Sequence, residues 1–283
     1  MKTLSKPLWL LTFLTYLLII WGAVVRASGS GLGCPDWPLC HGQIIPPFEK
    51  AVLIEYVHRL LASLVGIVTC VVCIKVWREA SLRAKFGKKC GIILALLFVQ
   101  VLLGGVTVKS ELHPYIVTIH LGVALVFLTF IFQWALSVFA SGVSMDRPVV
   151  KSKWFPVAHF LLLLVFIQIL LGGMVASSNA GLICPDFPTC NGLWMPPLHG
   201  LVAWQFLHRL FAFLVFIGVL VLCFVKRSLK SAKGLFVFAL LQMFLGIANI
   251  LLGLPFWIRV AHSGIAVLLF LMVMVFSNEL RSN

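Results

Sequence analysis

One passage of this chain is written twice. Residues 26–60 contain Cys34-Pro-Asp-Trp-Pro-Leu-Cys40, then Pro46-Pro47, then Glu55-Tyr-Val-His58-Arg59-Leu60. Residues 176–210 contain Cys184-Pro-Asp-Phe-Pro-Thr-Cys190, then Pro196-Pro197, then Gln205-Phe-Leu-His208-Arg209-Leu210, and every matched pair is 150 positions apart. The chain is therefore two copies of one unit, each with a cysteine-bearing loop followed by a His-Arg step inside an apolar run. One difference between the copies bears on chemistry: Glu55 stands where the second carries Gln205.

The material around the repeat fixes the class. With 61% hydrophobic and 11% charged residues, the chain is too apolar for a soluble domain of its length. Runs of roughly 20 apolar residues span a bilayer as helices, and eight occur, at 8–25, 52–76, 91–108, 115–139, 155–175, 202–225, 235–253 and 256–277. They are continuous rather than alternating, which excludes a membrane β-barrel. The first run is too long for a signal peptide and has no small-residue cleavage site, so it is read as a retained span.

The net charge of +14 reports topology rather than nucleic-acid binding. Lys2 and Lys6 precede the first run, and Lys75, Arg78, Arg83, Lys85, Lys88 and Lys89 separate the second from the third. Arg147, Lys151 and Lys153 lie between the fourth and fifth, and Lys226, Arg227, Lys230 and Lys233 between the sixth and seventh. Alternate connections carry few cations. By the positive-inside rule both termini are expected in the cytoplasm. A short N-terminus without an Arg/Ser-rich transit stretch points to a prokaryotic cell membrane, with lipid as the surrounding solvent.

That orientation puts Cys34, Cys40, Cys184 and Cys190 in outward loops, where oxidising conditions permit the disulfides Cys34–Cys40 and Cys184–Cys190. Free thiols and a metal site are the competing readings. Cys70, Cys73, Cys90 and Cys223 are read as small buried hydrophobes, although Cys70-Val-Val-Cys73 has CxxC spacing.

Four spans per copy make the halves parallel. The expected fold is an all-α integral membrane protein of eight transmembrane helices, arranged as two tandem four-helix bundles, 1–145 and 146–283. They would be related by a pseudo-twofold along the membrane normal, unlike inverted-repeat transporters. Beyond the first pair of spans the match continues at an offset of 142, aligning Gln100 with Gln242, Gly104 with Gly246 and His120 with His262. Gln100-Val-Leu-Leu-Gly-Gly also recurs as Gln168-Ile-Leu-Leu-Gly-Gly, and such glycines admit close helix approach.

Histidine inside a span is costly and marks function by default. His58, His120, His208 and His262 occupy the second, fourth, sixth and eighth runs, all crossing in the same direction and each histidine at a similar depth. Two imidazoles on facing helices can ligate one flat macrocycle, so bis-histidine haem ligation once per half is the simplest fitting chemistry. Histidines merely bonded to neighbouring helices, and a zinc site lacking enough carboxylates, are the alternatives. His41, His113, His159 and His199 fall in loops or at helix ends and are read as solvated or interfacial. His113, two turns above His120, is kept as a secondary candidate.

Glu55 is three residues before His58 and shares its helical face. Its carboxyl could move protons or face developing positive charge, or it could simply pair with Arg59. Arg59 and Arg209 suit haem propionates, since a guanidinium matches a carboxylate, but adjacent helical positions diverge and Arg59 could serve another face.

Taken together, these features resemble the haem A synthases, the CtaA/COX15 family, along essentially the whole chain. The resemblance implies an oxidoreductase that converts haem O to haem A by successive hydroxylations of the C8 methyl group and loss of water. It implies His58 and His120 as substrate-haem ligands, Glu55 as the catalytic carboxylate, and His208 and His262 as ligands of a haem B cofactor relaying electrons. It leaves room for contact with haem O synthase, for an electron donor of unassigned class and for a homo-oligomer. A doubly ligated iron has no open position, so oxygen activation there requires one histidine to leave. The alternative is electron removal from the porphyrin, with water or a carboxylate captured at the methyl carbon. Two rival functions stand beside this one: a bis-histidine membrane cytochrome b confined to electron transfer, and a haem transporter or chaperone.

Overall fold

A computed structural model describes residues 2–142 and 152–282, with side chains from 3 to 139 and from 152 to 280. The described residues form eight α-helices: α1 (Lys2–Ala27), α2 (Lys50–Arg78), α3 (Ala80–Lys109), α4 (Pro114–Gly142), α5 (Phe155–Ser177), α6 (Gly200–Val225), α7 (Lys230–Leu251) and α8 (Phe256–Ser282). One 3-10 turn, Ala180–Leu182, follows α5. Each of the eight is long and apolar enough to cross a membrane, as bilayer physics demands where no water can satisfy an open backbone.

The helices outrun the apolar stretches that specify them. Trp77-Arg-Glu-Ala-Ser-Leu-Arg-Ala-Lys-Phe, read as a cationic loop, is helical apart from the step at Glu79. Its Ala, Leu, Arg and Lys residues are strong helix formers, so the helices continue past the last lipid-facing turn. The Ser81 hydroxyl donates to Glu79 Oε1 at 2.8 Å at this corner.

The chain divides into two compact units, one holding α1–α4 and the other α5–α8. The boundary expected at 145/146 lies outside the described residues, as do Arg147 and Lys151. In the first unit α1 packs on α2 and α4, and α3 on α2 and α4, closing a ring of four antiparallel helices. In the second, α5 packs on α6 and α8, and α7 on α6 and α8.

The core of the first unit fills the end opposite the cysteine loop. Leu4, Leu8 and Leu11 of α1 meet Val72 and Val76 of α2, Phe86 and Ile93 of α3, and Ile131 and Trp134 of α4. Lipid is as apolar as these side chains, so interdigitation and dispersion rather than escape from water hold this end together. Cys73 and Cys90 belong to the same cluster, as expected of small hydrophobes. Cys70 is exposed and Cys223 only half-buried, a correction to the sequence reading: periodicity turns Cys70 outward, and Cys223 lies at a helix seam with its thiol on the Ala232 carbonyl. With one end of each bundle filled, the other is left for chemistry.

Candidate functional site

Each cysteine loop is a small, tightly bonded cap over the open end of its bundle. Cys34 is bonded to Cys40 and Cys184 to Cys190, the pairing expected from the outward loops. Asp36 sits inside the first ring and accepts from the backbone N–H of His41 at 2.6 Å and of Gly42 at 2.7 Å. Asp186 does the same with Asn191 at 2.6 Å and Gly192 at 2.8 Å, and also accepts from the Thr189 hydroxyl. The Thr189 hydroxyl and these amides pull the Asp186 carboxyl down to about 2, and the Gly42 and His41 amides lower that of Asp36.

His41 has a structural role that its sequence position hid. It and Asn191, 150 positions on, both adopt left-handed backbone at φ 55° and 54°, which Asn and His tolerate better than most residues. His41 Nε2 bonds the Gly33 carbonyl at 2.9 Å, and the Asn191 side-chain amide donates to the matching Ile183 carbonyl at 3.2 Å. His159 likewise turns to structure, bonded to the Phe155 carbonyl and the Ser277 hydroxyl. His113 stacks on Tyr115, centroids 5.7 Å apart.

The arginines tie these caps to the helices. From α2, Arg59 donates through Nη1 to the carbonyls of Asp36 and Leu39 at 2.8 and 2.7 Å, and through Nη2 to Cys34 at 2.9 Å. From α6, Arg209 repeats the pattern on Asp186 at 2.8 Å, Thr189 at 2.6 Å and Cys184 at 2.6 Å. The guanidinium groups of Arg59 and Arg209, expected to suit propionates, are here bonded to loop carbonyls. The doubt over adjacent positions is resolved by geometry: the arginine points up to its loop while its histidine neighbour points into the bundle.

Here the Glu55/Gln205 mismatch takes effect. Glu55 is buried and accepts from Arg59 Nε at 3.2 Å, which is the pairing weighed against a catalytic role. Gln205, equally buried, turns away to donate to the Gly181 carbonyl at 3.1 Å. Arg209 Nε is then left buried without a partner. The first unit thus holds a carboxylate-guanidinium pair where the second holds a neutral amide.

Beneath the caps lie the four histidines. His58 and His208 are eight residues past the starts of α2 and α6, and His120 and His262 six past those of α4 and α8. At about 1.5 Å rise per residue they sit roughly 9–12 Å into the helices. All four rings are half-buried. Each rests on a glycine of the preceding helix, a feature visible in the repeat but not read as a ring seat. A Cβ added at Gly22 would meet His58 Cε1 at 3.3 Å, and at Gly104 it would meet His120 Cε1 at 3.8 Å. The matching distances are 2.9 Å from Gly172 to His208 and 3.2 Å from Gly246 to His262.

These residues fit a haem. The His208 and His262 ring centroids are 6.4 Å apart. With metal–imidazole bonds of about 2.0–2.1 Å and about 1.2 Å from ring centre to nitrogen, two rings across one metal have centres roughly 6.5 Å apart. The Nδ1 atoms of His58, His120 and His262 are buried without hydrogen-bond partners, a cost that a bound group or a small rearrangement would relieve. Among the described residues no group of three or more His, Cys, Asp or Glu could hold a bare ion. Two imidazoles suffice only when the rest of the coordination arrives with the metal, as in a macrocycle.

Known proteins resemble this chain in sequence along most of its length. The COX15-CtaA family, described as cytochrome oxidase assembly protein, matches residues 6–52 and 47–274. A heme A synthase of Shouchella clausii is 33% identical over 272 residues, covering 93% of this chain and 86% of its own. Heme A synthases of Symbiobacterium thermophilum and Shewanella oneidensis are each 31% identical, over 236 and 309 residues. They cover 79% and 91% of this chain, and 76% and 90% of their own. With the match running through both copies of the repeat, the chain belongs to the COX15-CtaA family of cytochrome oxidase assembly proteins.

Proposed function

We propose that this protein is a haem A synthase in which the two copies of the repeat divide the labour. It is a multi-pass membrane oxidoreductase that converts haem O to haem A. In the first half, His58 and His120 hold the substrate haem O, and Glu55 is the catalytic carboxylate. In the second, His208 and His262 hold a haem B. The observation that carries this division is the buried Glu55–Arg59 pair, set against the neutral Gln205 in a site that repeats the histidines and the arginine.

Turning a methyl group into a formyl group adds one oxygen atom from oxygen or water, removes four electrons to an acceptor outside the chain, and passes through a hydroxymethyl stage. Positive character develops at the methyl carbon as electrons leave, and protons must be carried off. A buried carboxylate can stabilise the first and accept the second. Arg59 positions Glu55 through Nε while its Nη atoms anchor the loop, so the carboxylate is tied to the cap over the site. When bound, haem B supplies one-electron transfer; the side chains of the second half need only hold it. We assign Arg59 and Arg209 to their loops rather than to propionates.

The cation distribution supports cytoplasmic termini, which puts both caps on the outer side of a bacterial cell membrane. The parallel repeat supports a pseudo-twofold along the membrane normal. The deciding experiment co-expresses the chain with a haem O synthase in a host lacking haem A and extracts the pigments. Haem A and its hydroxymethyl precursor are expected. Folded, haem-loaded protein yielding neither would leave the cytochrome b reading in its place.

A further inference from the structure

The second unit grips both of its histidines with a glutamine from the preceding helix. The Gln168 side-chain nitrogen on α5 lies 3.1 Å from His208 Nδ1 and donates to the His208 carbonyl at 3.0 Å. That of Gln242 on α7 lies 3.3 Å from His262 Nε2. In each case one ring nitrogen is engaged and the opposite one is left over. An amide can present either its oxygen or its nitrogen to the ring after a half-turn, so the grip suits either ring tautomer.

The first unit departs from this plan. In the register of Gln168 stands Leu18, packed against the apolar core. Gln100 keeps the register of Gln242; its Oε1 is buried without a partner, as are those of Gln168 and Gln242, and the Nδ1 atoms of His120 and His58 are likewise unpartnered. His120 therefore has an amide available on the next helix. His58 has a leucine.

We infer that Gln168 and Gln242 are positioning residues that lock both second-half imidazoles, whereas Leu18 leaves His58 unlocked and makes it the first-half ligand that yields. The inference rests on the haem assignment above. A partner on the outer nitrogen fixes ring orientation, and its loss typically costs roughly 10–100-fold in metal affinity. A permanent cofactor needs both ligands held. A substrate haem must enter, react and leave, and releasing one ligand opens a coordination position for a small molecule. Glu55 stands three residues before His58 on the same helix, about one turn nearer the cap.

Carbon monoxide reads this directly, because it binds ferrous haem only where a position is open. The His58→Ala/His120→Ala protein, reduced in detergent, confines haem to the second half and is expected to show no carbon monoxide difference band. Adding Gln168→Leu should raise the reactive fraction at least tenfold, and Gln168→Glu should keep the site closed. In the His208→Ala/His262→Ala protein, loaded by co-expressed haem O synthase, the first-half haem should bind carbon monoxide. Leu18→Gln should reduce that binding at least tenfold, and it decides the matter if the Gln168→Leu protein does not fold. Retention of haem by Gln168→Leu without a carbon monoxide band, or unchanged binding in Leu18→Gln, would overturn the inference. If haem in the His58→Ala/His120→Ala protein is insensitive to further loss of His208, the haem assignment itself falls, and the lock with it.

Discussion

The imidazoles of His208 and His262 face each other with ring centroids 6.4 Å apart and planes inclined at 81°. The separation is set by the seats beneath them: His208 lies on Gly172 of α5, and His262 on Gly246 of α7. This pre-formed gap is the basis for expecting a permanent haem there. Replacing either His208 or His262 by alanine should lower haem per protein by about one equivalent, measured by pyridine haemochrome, while leaving the chain folded. A haem content unchanged in both variants would remove the pair from ligation.

The glycine seats give a graded test that leaves every polar group in place. An added methyl at Gly172 would come within 2.9 Å of a ring atom, at Gly246 within 3.2 Å, at Gly22 within 3.3 Å and at Gly104 only within 3.8 Å. Overpacking a fitted contact costs typically 1–3 kcal/mol. Gly172→Ala should therefore weaken second-half haem retention most, and Gly104→Ala should leave the first site nearly intact. Haem retention during detergent dilution would report the order, and a Gly104→Ala effect as large as that of Gly172→Ala would contradict it.

Much of this was legible in the chain. Eight apolar runs gave eight helices, and the offsets of 150 and 142 paired the histidines, because hydrophobic length and repeat spacing survive in one dimension. The partners of Arg59 were not legible. Guanidinium chemistry suits a propionate and a backbone carbonyl alike, and only the fold brings Cys34, Asp36 and Leu39 over it. Gln168 was visible as a repeated glutamine, but its hold on His208 depends on the facing of α5 and α6. His41 is exposed, as read, but its left-handed backbone and its bond to the Gly33 carbonyl were not visible in one dimension.

The caps should respond to acid in a defined order. The Asp186 carboxyl is held at about 2, against 3.8 ordinarily, by Thr189 and the loop amides. A carboxyl lowered in the folded state stabilises that state above its unfolded value, and the contribution is lost as pH falls through the folded value. The Cys184–Cys190 loop should thus begin to loosen below about pH 4 and let go near pH 2. Thr189→Val should move that opening to higher pH. Asp36, which has Leu39 in the place of Thr189 and relies on backbone amides, should open first. Hydrogen exchange at the amides of residues 41, 42, 191 and 192 would follow both loops; simultaneous opening would count against this account.

Glu55→Gln is the most discriminating substitution, because the second half already shows that the site folds with glutamine. There Gln205 bonds the Gly181 carbonyl, Arg209 Nε has no partner, and the loop bonds of Arg209 are all present. Removing the charge from Glu55 should therefore leave Arg59 on its carbonyls, the Cys34–Cys40 loop closed and the second-half haem bound. What disappears is the only buried carboxylate among the described residues at this level of the first bundle. General acid–base assistance is worth roughly 10²–10⁴-fold, so formyl product should drop by about that factor while haem content and expression hold. Glu55→Asp keeps the charge but shortens the reach to Arg59, and should retain part of the activity. Full turnover by Glu55→Gln would mean that the mismatch between the two copies serves only to pair Arg59.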